Sequence, residues 1–173
     1  MDKTFTLLLM THLETDLDCI LELSIKKETE NEDFVDFIKT LDGNYVDATV
    51  HQLNKAISST IDCTLCGNCC KSLMILVDEE EADLLCNHLN QTREIFEEKY
   101  VEKGSSGLMI MNQIPCHFLS ENKCTVYEQR FAGCNEFPAM HLPNFKDRLF
   151  TTFMHYNRCP IIYNVVEQLK VTL

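Results

Sequence analysis

The sequence predicts a small α+β protein with a helical N-terminal region and an irregular, cysteine-rich half that contains short strands. Three observations predict this class. Apolar residues recur at helical spacing through most of the first 60 residues, the cysteines concentrate after them, and the later apolar runs are short and strand-like. With 173 residues, 45% hydrophobic and 24% charged, the composition is typical of a folded domain. We expect a helical segment at 1–60 packed on a cysteine-rich region at 61–173, both within one compact domain.

The formal net charge is −12, and the sequence pI is about 4.8. No run of Lys and Arg interrupts this acidity, so we expect neither a nucleic-acid partner nor an anionic membrane partner. The first residues, MDKTFTLLLMTHLETD, lack the basic start and the long apolar core of a secretory signal. No stretch approaches the roughly 20 apolar residues of a membrane-spanning helix. A cytoplasmic location is therefore expected.

Two amphipathic helices are predicted in the N-terminal region. The first has an apolar face at i, i+3, i+4 and i+7, formed by Phe34, Phe37, Ile38 and Leu41. After a break at 41–44, the same period continues with Val46, Val50, Leu53 and Ile57. Segment 17–25 fits either a helix or a strand, and the charged segment 26–33 is expected to be a solvated connection or a helix end.

The second half is predicted to alternate short strands with helices. The apolar run at 72–77 indicates a buried strand or core segment, and 107–114 and 148–156 are further candidate strands. Asp78 and Glu81 form a capping signal that opens a helix through about Tyr100. The turn-forming residues SENK lie within 115–138, and apolar periodicity from Ile161 predicts a short closing helix.

The chemistry of the sequence lies in its cysteines, of which there are ten. In a reducing compartment such a density indicates metal binding or redox chemistry, whereas export by another route would make disulfides an alternative. Eight of them form the candidate metal site: Cys63, Cys66, Cys69, Cys70, Cys116, Cys124, Cys134 and Cys159. The run C-x2-C-x2-C resembles the start of a ferredoxin motif that holds a [4Fe–4S] cluster, and the same first pair also begins zinc sites with four cysteines. The pattern therefore indicates a metal without separating iron from zinc.

Cys69 and Cys70 are adjacent, so their side chains diverge in either an extended or a helical backbone. One sulfur is therefore expected to serve a first centre and the other a second centre or another face of a polynuclear cluster. Eight thiols suit two sites with four thiolates each. They equally suit one cluster with spare, reactive cysteines.

The spaced motifs CTLCGNCC, PCHFL, CTVYEQR, CNEFP and the late CP resemble the YkgJ-like cysteine-cluster family, which is described as zinc- or iron-chelating. The resemblance covers residues 61 to about 162 and implies that the eight cysteines hold the metal. Two positions depart from the usual family pattern. Phe131 follows Arg130 where proline is usual, and Asn135 follows Cys134 where arginine is usual.

Several neighbouring residues have alternative interpretations. Lys71, Lys123, Arg130 and Arg158 either neutralise thiolate charge or are ordinary loop cations. His117 could bind metal through nitrogen, although the cysteines already suffice. Cys19 and Cys86 lie within helical or apolar patterns and are expected in the core.

Two functions follow from these patterns. The first is an iron–sulfur protein with a redox or group-transfer-supporting role. The alternative is a non-enzymatic, zinc-stabilised binding module whose N-terminal helices contact an unidentified protein partner.

Overall fold

The computed structural model describes residues 13–173, so the expectation drawn from the first residues of the N-terminus lies outside the described part. Helices with a few short antiparallel strands make up this range, which confirms the α+β class and the helical N-terminal region. Within residues 13–173, no helix has both the length and the apolar composition that crossing a bilayer requires.

In chain order, the N-terminal helices are α1 (Leu17–Lys26), α2 (Glu28–Thr40) and α3 (Gly43–Ser58). The middle of the chain contains α4 (Cys63–Cys66), α5 (Asn68–Ser72), β1 (Leu76–Val77), α6 (Glu79–Leu89), α7 (Arg93–Tyr100), β2 (Val101–Lys103), β3 (Met109–Met111), β4 (Leu119–Ser120), β5 (Lys123–Cys124) and α8 (Ala132–Glu136). Helices α9 (Leu149–Met154) and α10 (Pro160–Thr172) complete the chain, with 3₁₀ turns at Tyr127–Gln129 and Phe145–Arg148.

These elements form two compact units. The first, called the helical unit, runs to Asp62 and resumes from Pro138 to Leu173, and the second, called the cysteine unit, is Cys63–Phe137. The division at 60/61 stays a prediction, but the structure assigns residues 138–173 to the unit that contains the N-terminal helices. The reason is that α10 packs mainly on α3, an interaction between distant segments that local sequence patterns do not reveal.

Helices α1 to α3 begin where local chemistry favours a helix start. The Asp16 side chain accepts a hydrogen bond from the backbone of Cys19, and Asp42 does the same for Tyr45, as N-cap residues do. Segment 17–25 is therefore helical. For the charged segment 26–33, the alternative of a helix end is confirmed: α1 ends at Lys26, and residues 28–33 form the first turns of α2, where acidic residues favour the positive end of the helix.

The apolar periodicity places most of the predicted core correctly. The buried members of the two predicted faces are Phe34, Ile38, Val46, Val50 and Ile57. Phe37 remains 43% exposed, because it lies at the edge of the apolar stripe, next to rather than beneath the packed face.

Helix α10 confirms the predicted closing helix and is the most buried helix of its unit. Its residues from Pro160 to Val166 are buried, as is Leu169. Asn164 is buried as well, and its side chain is satisfied by the backbone. Its Nδ2 donates to the carbonyls of Glu14 (2.7 Å) and Pro160 (2.7 Å), and its Oδ1 accepts from the Glu14 N–H at 3.0 Å. This amide fixes the segment before α1 against α10.

The predicted strand at 148–156 is wrong, because this segment contains helix α9. Its buried positions Leu149, Thr152 and Tyr156 follow the helical spacing i, i+3, i+7, and Phe150 between them is 82% exposed. A strand would have buried alternate residues instead.

In the cysteine unit, β3 lies between β1 and β2 in an antiparallel sheet, with Leu76 opposite Ile110 and Val101 opposite Met111. The predicted strands at 72–77 and 107–114 are thus each shortened to two or three residues. The predicted helix from Asp78 starts with the expected capping box but ends at Leu89. Asn90 takes a left-handed conformation (φ 53°) and Thr92 caps a separate helix, α7.

We predict that Asp47 stabilises the helical unit by joining α3 to the turn before α9. Its carboxylate accepts hydrogen bonds from the backbone N–H groups of Asn144 (2.7 Å) and Phe145 (2.8 Å). Asp47→Ala should lower the free energy of unfolding by about 1–3 kcal/mol, because hydrogen bonds to a charged acceptor are lost. Urea unfolding measures the change. Asp33→Ala, at an exposed position of α2, is the control and should cost less than about 0.5 kcal/mol; equal losses would contradict this role.

Candidate metal centre

The segment CTLCGNCC folds as two short helices, α4 and α5, joined by Gly67. Gly67 has φ 60° and ψ 10°, a left-handed conformation that favours glycine. A Cβ at this position would lie 3.0 Å from Cα of Asn122, so the segment 119–124 packs directly on the bare glycine backbone. Because both conformation and contact require glycine, Gly67 fixes the angle between the first pair of cysteines and the second pair.

The segment 116–124 is bound to the first one by hydrogen bonds. The Cys116 N–H donates to the Cys70 carbonyl at 2.8 Å, and Asn122 Nδ2 donates to the Leu65 carbonyl at 3.3 Å. Strands β4 and β5 form a hairpin that pairs Leu119 with Cys124. The turn of this hairpin contains Glu121 and Asn122 at φ 47° and φ 65°, which confirms the turn predicted at SENK.

The third segment is α8, which contains Cys134. The Ala132 N–H at the start of this helix donates to the Glu81 carboxylate, and Glu81 also completes the capping box of α6. The Cys134 N–H donates to the Phe131 carbonyl at 2.9 Å, and Phe131 is buried in the core of the cysteine unit. Cys134 is thus positioned by contacts at the start of its short helix.

These three segments surround a cavity of about 100 Å³, called the cysteine cavity. Six cysteines line it: Cys63, Cys69, Cys70, Cys116, Cys124 and Cys134. Much of the remaining wall is apolar and is formed by Leu73, Ile75, Phe118, Val126, Phe131 and Phe137. Thiol groups from distant parts of the sequence therefore share one small, largely apolar space.

The other cysteines lie elsewhere. Cys66 is half-buried in α4 and does not line the cysteine cavity, and Cys159 is buried immediately before α10 in the helical unit. Cys86 is buried in the core of the cysteine unit, as predicted. Cys19, which was also expected in the core, is only partly buried on α1. Six of the eight candidate ligands are thus brought together, and the full ligand set stays a prediction.

The donor set of the cysteine cavity has the chemistry that a thiophilic metal requires. Thiolate ligands select zinc and iron–sulfur clusters over hard cations. Within residues 13–173, however, no three His, Cys, Asp or Glu side chains are arranged so that they would hold an ion as they stand. The Sγ atoms of the adjacent residues Cys69 and Cys70 lie 3.9 Å apart. Coordination therefore requires the cysteine side chains to reorient within the cavity.

The cavity affects the acidity of its thiols in two ways. Burial raises the pKa of Cys134 to about 12 and also raises the pKa of Cys116. The thiols of Cys69 and Cys70 hydrogen-bond to each other, which lowers the pKa of Cys69 to about 6 and raises the pKa of Cys70. Cys70, Cys116 and Cys134 thus favour the protonated form by themselves, whereas a bound cation would offset the cost of buried thiolates at these positions.

Arg130 is the cation that lines the cysteine cavity. Its guanidinium lies over the Tyr127 ring, 4.0 Å from the ring centroid, and its Nε donates to Oδ1 of Asn135. Asn135 Nδ2 returns a hydrogen bond to the Arg130 carbonyl at 2.9 Å. The charge of Arg130 lowers the pKa of Cys69 and opposes the burial effect on Cys134. Asn135, a departure from the usual family pattern, is therefore the residue that holds this arginine, a role that sequence reasoning missed.

The other predicted neighbours are less directly involved. Lys71 Nζ donates to the Cys66 carbonyl at 3.2 Å, Lys123 is exposed on β5, and Arg158 belongs to the helical unit. His117 does not line the cysteine cavity: its Nε2 contacts Oδ1 of Asn112 at 2.7 Å, and its ring packs edge-on against Tyr100.

Comparison with known proteins gives one match. The model of a family described as "Putative zinc- or iron-chelating domain" and designated CxxCxxCC matches residues 62–160, which is more than half of the chain. Neither the comparison with curated proteins nor the comparison with solved structures gave a match. The matched region contains all eight candidate ligands and confirms the resemblance found in the sequence. The chain therefore belongs to the CxxCxxCC family of zinc- or iron-chelating domains.

Proposed function

We propose that the protein binds a metal through the cysteine cavity, as an iron–sulfur cluster with a redox or group-transfer-supporting role. The observation that carries this proposal is the convergence of six cysteines on one small cavity, within a region that matches a metal-chelating family. The proposed ligands and accessory thiols are the eight cysteines of the sequence motif: Cys63, Cys66, Cys69, Cys70, Cys116, Cys124, Cys134 and Cys159.

The number and spacing of the thiols favour iron–sulfur chemistry. A structural zinc ion uses four ligands, so one ion would leave two of the six cavity cysteines without metal. The C-x2-C-x2-C run is the ferredoxin-like feature, and a bound cluster would supply one-electron transfer. The protein's own contribution is to hold the thiolates, to exclude water with the apolar wall and to place the Arg130 charge beside Cys69 and Cys134.

A zinc-stabilised binding module is the second candidate, and the shortness of the elements around the cavity favours it. Helices α4, α5 and α8 contain only four or five residues each, and β4 and β5 contain two each. Elements of this length do not persist alone in water, so a structural metal would contribute directly to folding. In that case the protein would act by binding a protein partner rather than by electron transfer.

We further propose a cytoplasmic location, since a reducing compartment keeps thiols available for metal. The net charge of −12 favours a protein partner over nucleic acid or an anionic membrane surface.

Anaerobic purification followed by metal and sulfide analysis tests the identity of the centre. We expect a brown protein that contains iron and acid-labile sulfide and absorbs broadly in the visible range. A colourless protein with stoichiometric zinc would instead support the binding module and exclude the iron–sulfur proposal.

Cys116→Ser should reduce the metal content to less than about half, because a hydroxyl is a poor substitute for a thiolate donor. The change leaves the hydrogen bond from the Cys116 N–H to the Cys70 carbonyl available. Cys19→Ser, on α1, is the matched control and should retain its metal. The measurement is metal per protein after anaerobic purification. Equal metal content in the two variants would show that the cysteine cavity is not the binding site.

Gly67→Ala should lower both metal content and stability even though every cysteine remains. The new methyl group would be strained at φ 60° and would press on Asn122, at a cost of about 1–3 kcal/mol. Gly133→Ala is the control, since a Cβ there meets no atom within 4 Å and α8 accepts alanine. The two variants are compared by metal analysis and urea unfolding. If Gly67→Ala behaves like Gly133→Ala, the turn does not position the ligands.

A further inference from the structure

The helical unit contains a second and larger cavity that the metal proposal does not use. It has a volume of about 660 Å³ and opens between α1, α2 and the end of α9, and we call it the acidic groove. Its wall combines carboxylates of α2 with apolar side chains and with the buried residues Asn31 and Tyr156.

The carboxylates of the acidic groove form a row along α2. Glu28, Glu32 and Asp36 are spaced by four residues, so they lie on one helix face over a length of about 12 Å. Asp36 accepts a hydrogen bond from Lys39 Nζ at 2.9 Å. Glu28 and Glu32 form no ion pair with any residue in the range 13–173, which leaves two exposed negative charges on this wall.

Asn31 lies between these carboxylates and provides an independent sign of a ligand. It lines the groove and is only 8% exposed, but its Oδ1 has no hydrogen-bond partner among the described residues. Tyr156 also lines the groove, and its hydroxyl donates to Oε1 of Glu167 at 2.6 Å. Because buried acceptors are normally satisfied, this oxygen indicates a donor that would come from an occupant of the groove.

The apolar side chains of the groove indicate that the occupant has apolar groups as well as a hydrogen-bond donor. Ile25 is 66% exposed, and Val35 and Phe153 also line the groove. An ammonium or guanidinium group on an aliphatic chain suits both surfaces, since its charge faces carboxylates and its methylene groups cover apolar side chains.

We propose that the acidic groove binds a basic, helical segment of a partner protein through Lys or Arg side chains. The groove is much larger than one side chain, which favours a segment over a single residue. Basic residues one helical turn apart on the partner would match the spacing of Glu28, Glu32 and Asp36. The net charge of −12 would also speed the approach of a basic partner. This binding is independent of the metal in the cysteine unit.

The test measures the binding of a fluorescein-labelled helical peptide. The peptide is about four turns long and has Lys at every fourth position, with Leu at positions between the lysines. Fluorescence anisotropy with the full-length, metal-loaded protein at about 0.15 M salt should show saturable binding. A peptide with Glu in place of Lys should not bind. In the double variant Glu28→Gln and Glu32→Gln, affinity for the Lys peptide should fall at least about tenfold, because two facing charges are removed.

The matched control is the double variant Glu22→Gln and Asp33→Asn, which changes the net charge equally at exposed positions outside the groove. It should retain affinity within about twofold. Equal weakening of both variants, or no saturable binding, would overturn the proposal, since only general charge attraction would remain. Spermidine is tested as a competitor. If spermidine displaces the peptide at a concentration similar to that of the peptide, and if the variant Glu28→Gln and Glu32→Gln no longer binds spermidine, the proposal of a protein partner is overturned in favour of a free polyamine site. Metal content should be unchanged in both variants, so failure here is separable from failure of the metal proposal.

Discussion

Three pieces of backbone must meet before any thiol can face the cysteine cavity. The contact between Gly67 and Asn122 joins the first cysteine segment to the hairpin turn, and the hydrogen bond from Cys116 to Cys70 joins them a second time. The link from Ala132 to Glu81 adds α8. Each of these three contacts includes at least one main-chain atom. The cavity is therefore positioned largely by backbone geometry.

The electrostatic state of the thiols follows from this enclosure. Burial in the apolar cavity raises the pKa of Cys116 and Cys134, so these two thiols favour the neutral form while no metal is bound. Cys69 is the exception, because its hydrogen bond with Cys70 and the positive charge of Arg130 lower its pKa. A thiolate at this position would be the first ligand available to an incoming cation, and each later deprotonation would be stabilised by the metal itself.

The helical unit is organised by different means. Its central helix, α10, is buried over most of its length, and two of its polar side chains are held by the backbone or by charged partners. Asn164 is satisfied by three backbone contacts, and Glu167 accepts from Tyr156, Lys27 and Lys170. The Oδ1 of Asn31, by contrast, has no hydrogen-bond partner among the described residues and belongs to a residue that lines the acidic groove. This contrast is the reason for assigning the groove to an outside ligand.

Several features follow from local sequence alone. These include the α+β class, the capping box at Asp78, the turn within SENK, the closing helix and the family relation of the cysteine motifs, because each depends on residues close together along the chain. The tertiary structure decided the rest. Segment 148–156 contains a helix, because tertiary packing buries one helical face of it rather than alternate residues. Asn90, in a left-handed conformation, ends the first of the two helices that the sequence predicted as one. The convergence of six cysteines without Cys66, the Arg130–Asn135 pair and the acidic groove depend on contacts between distant residues, which periodicity and spacing do not encode.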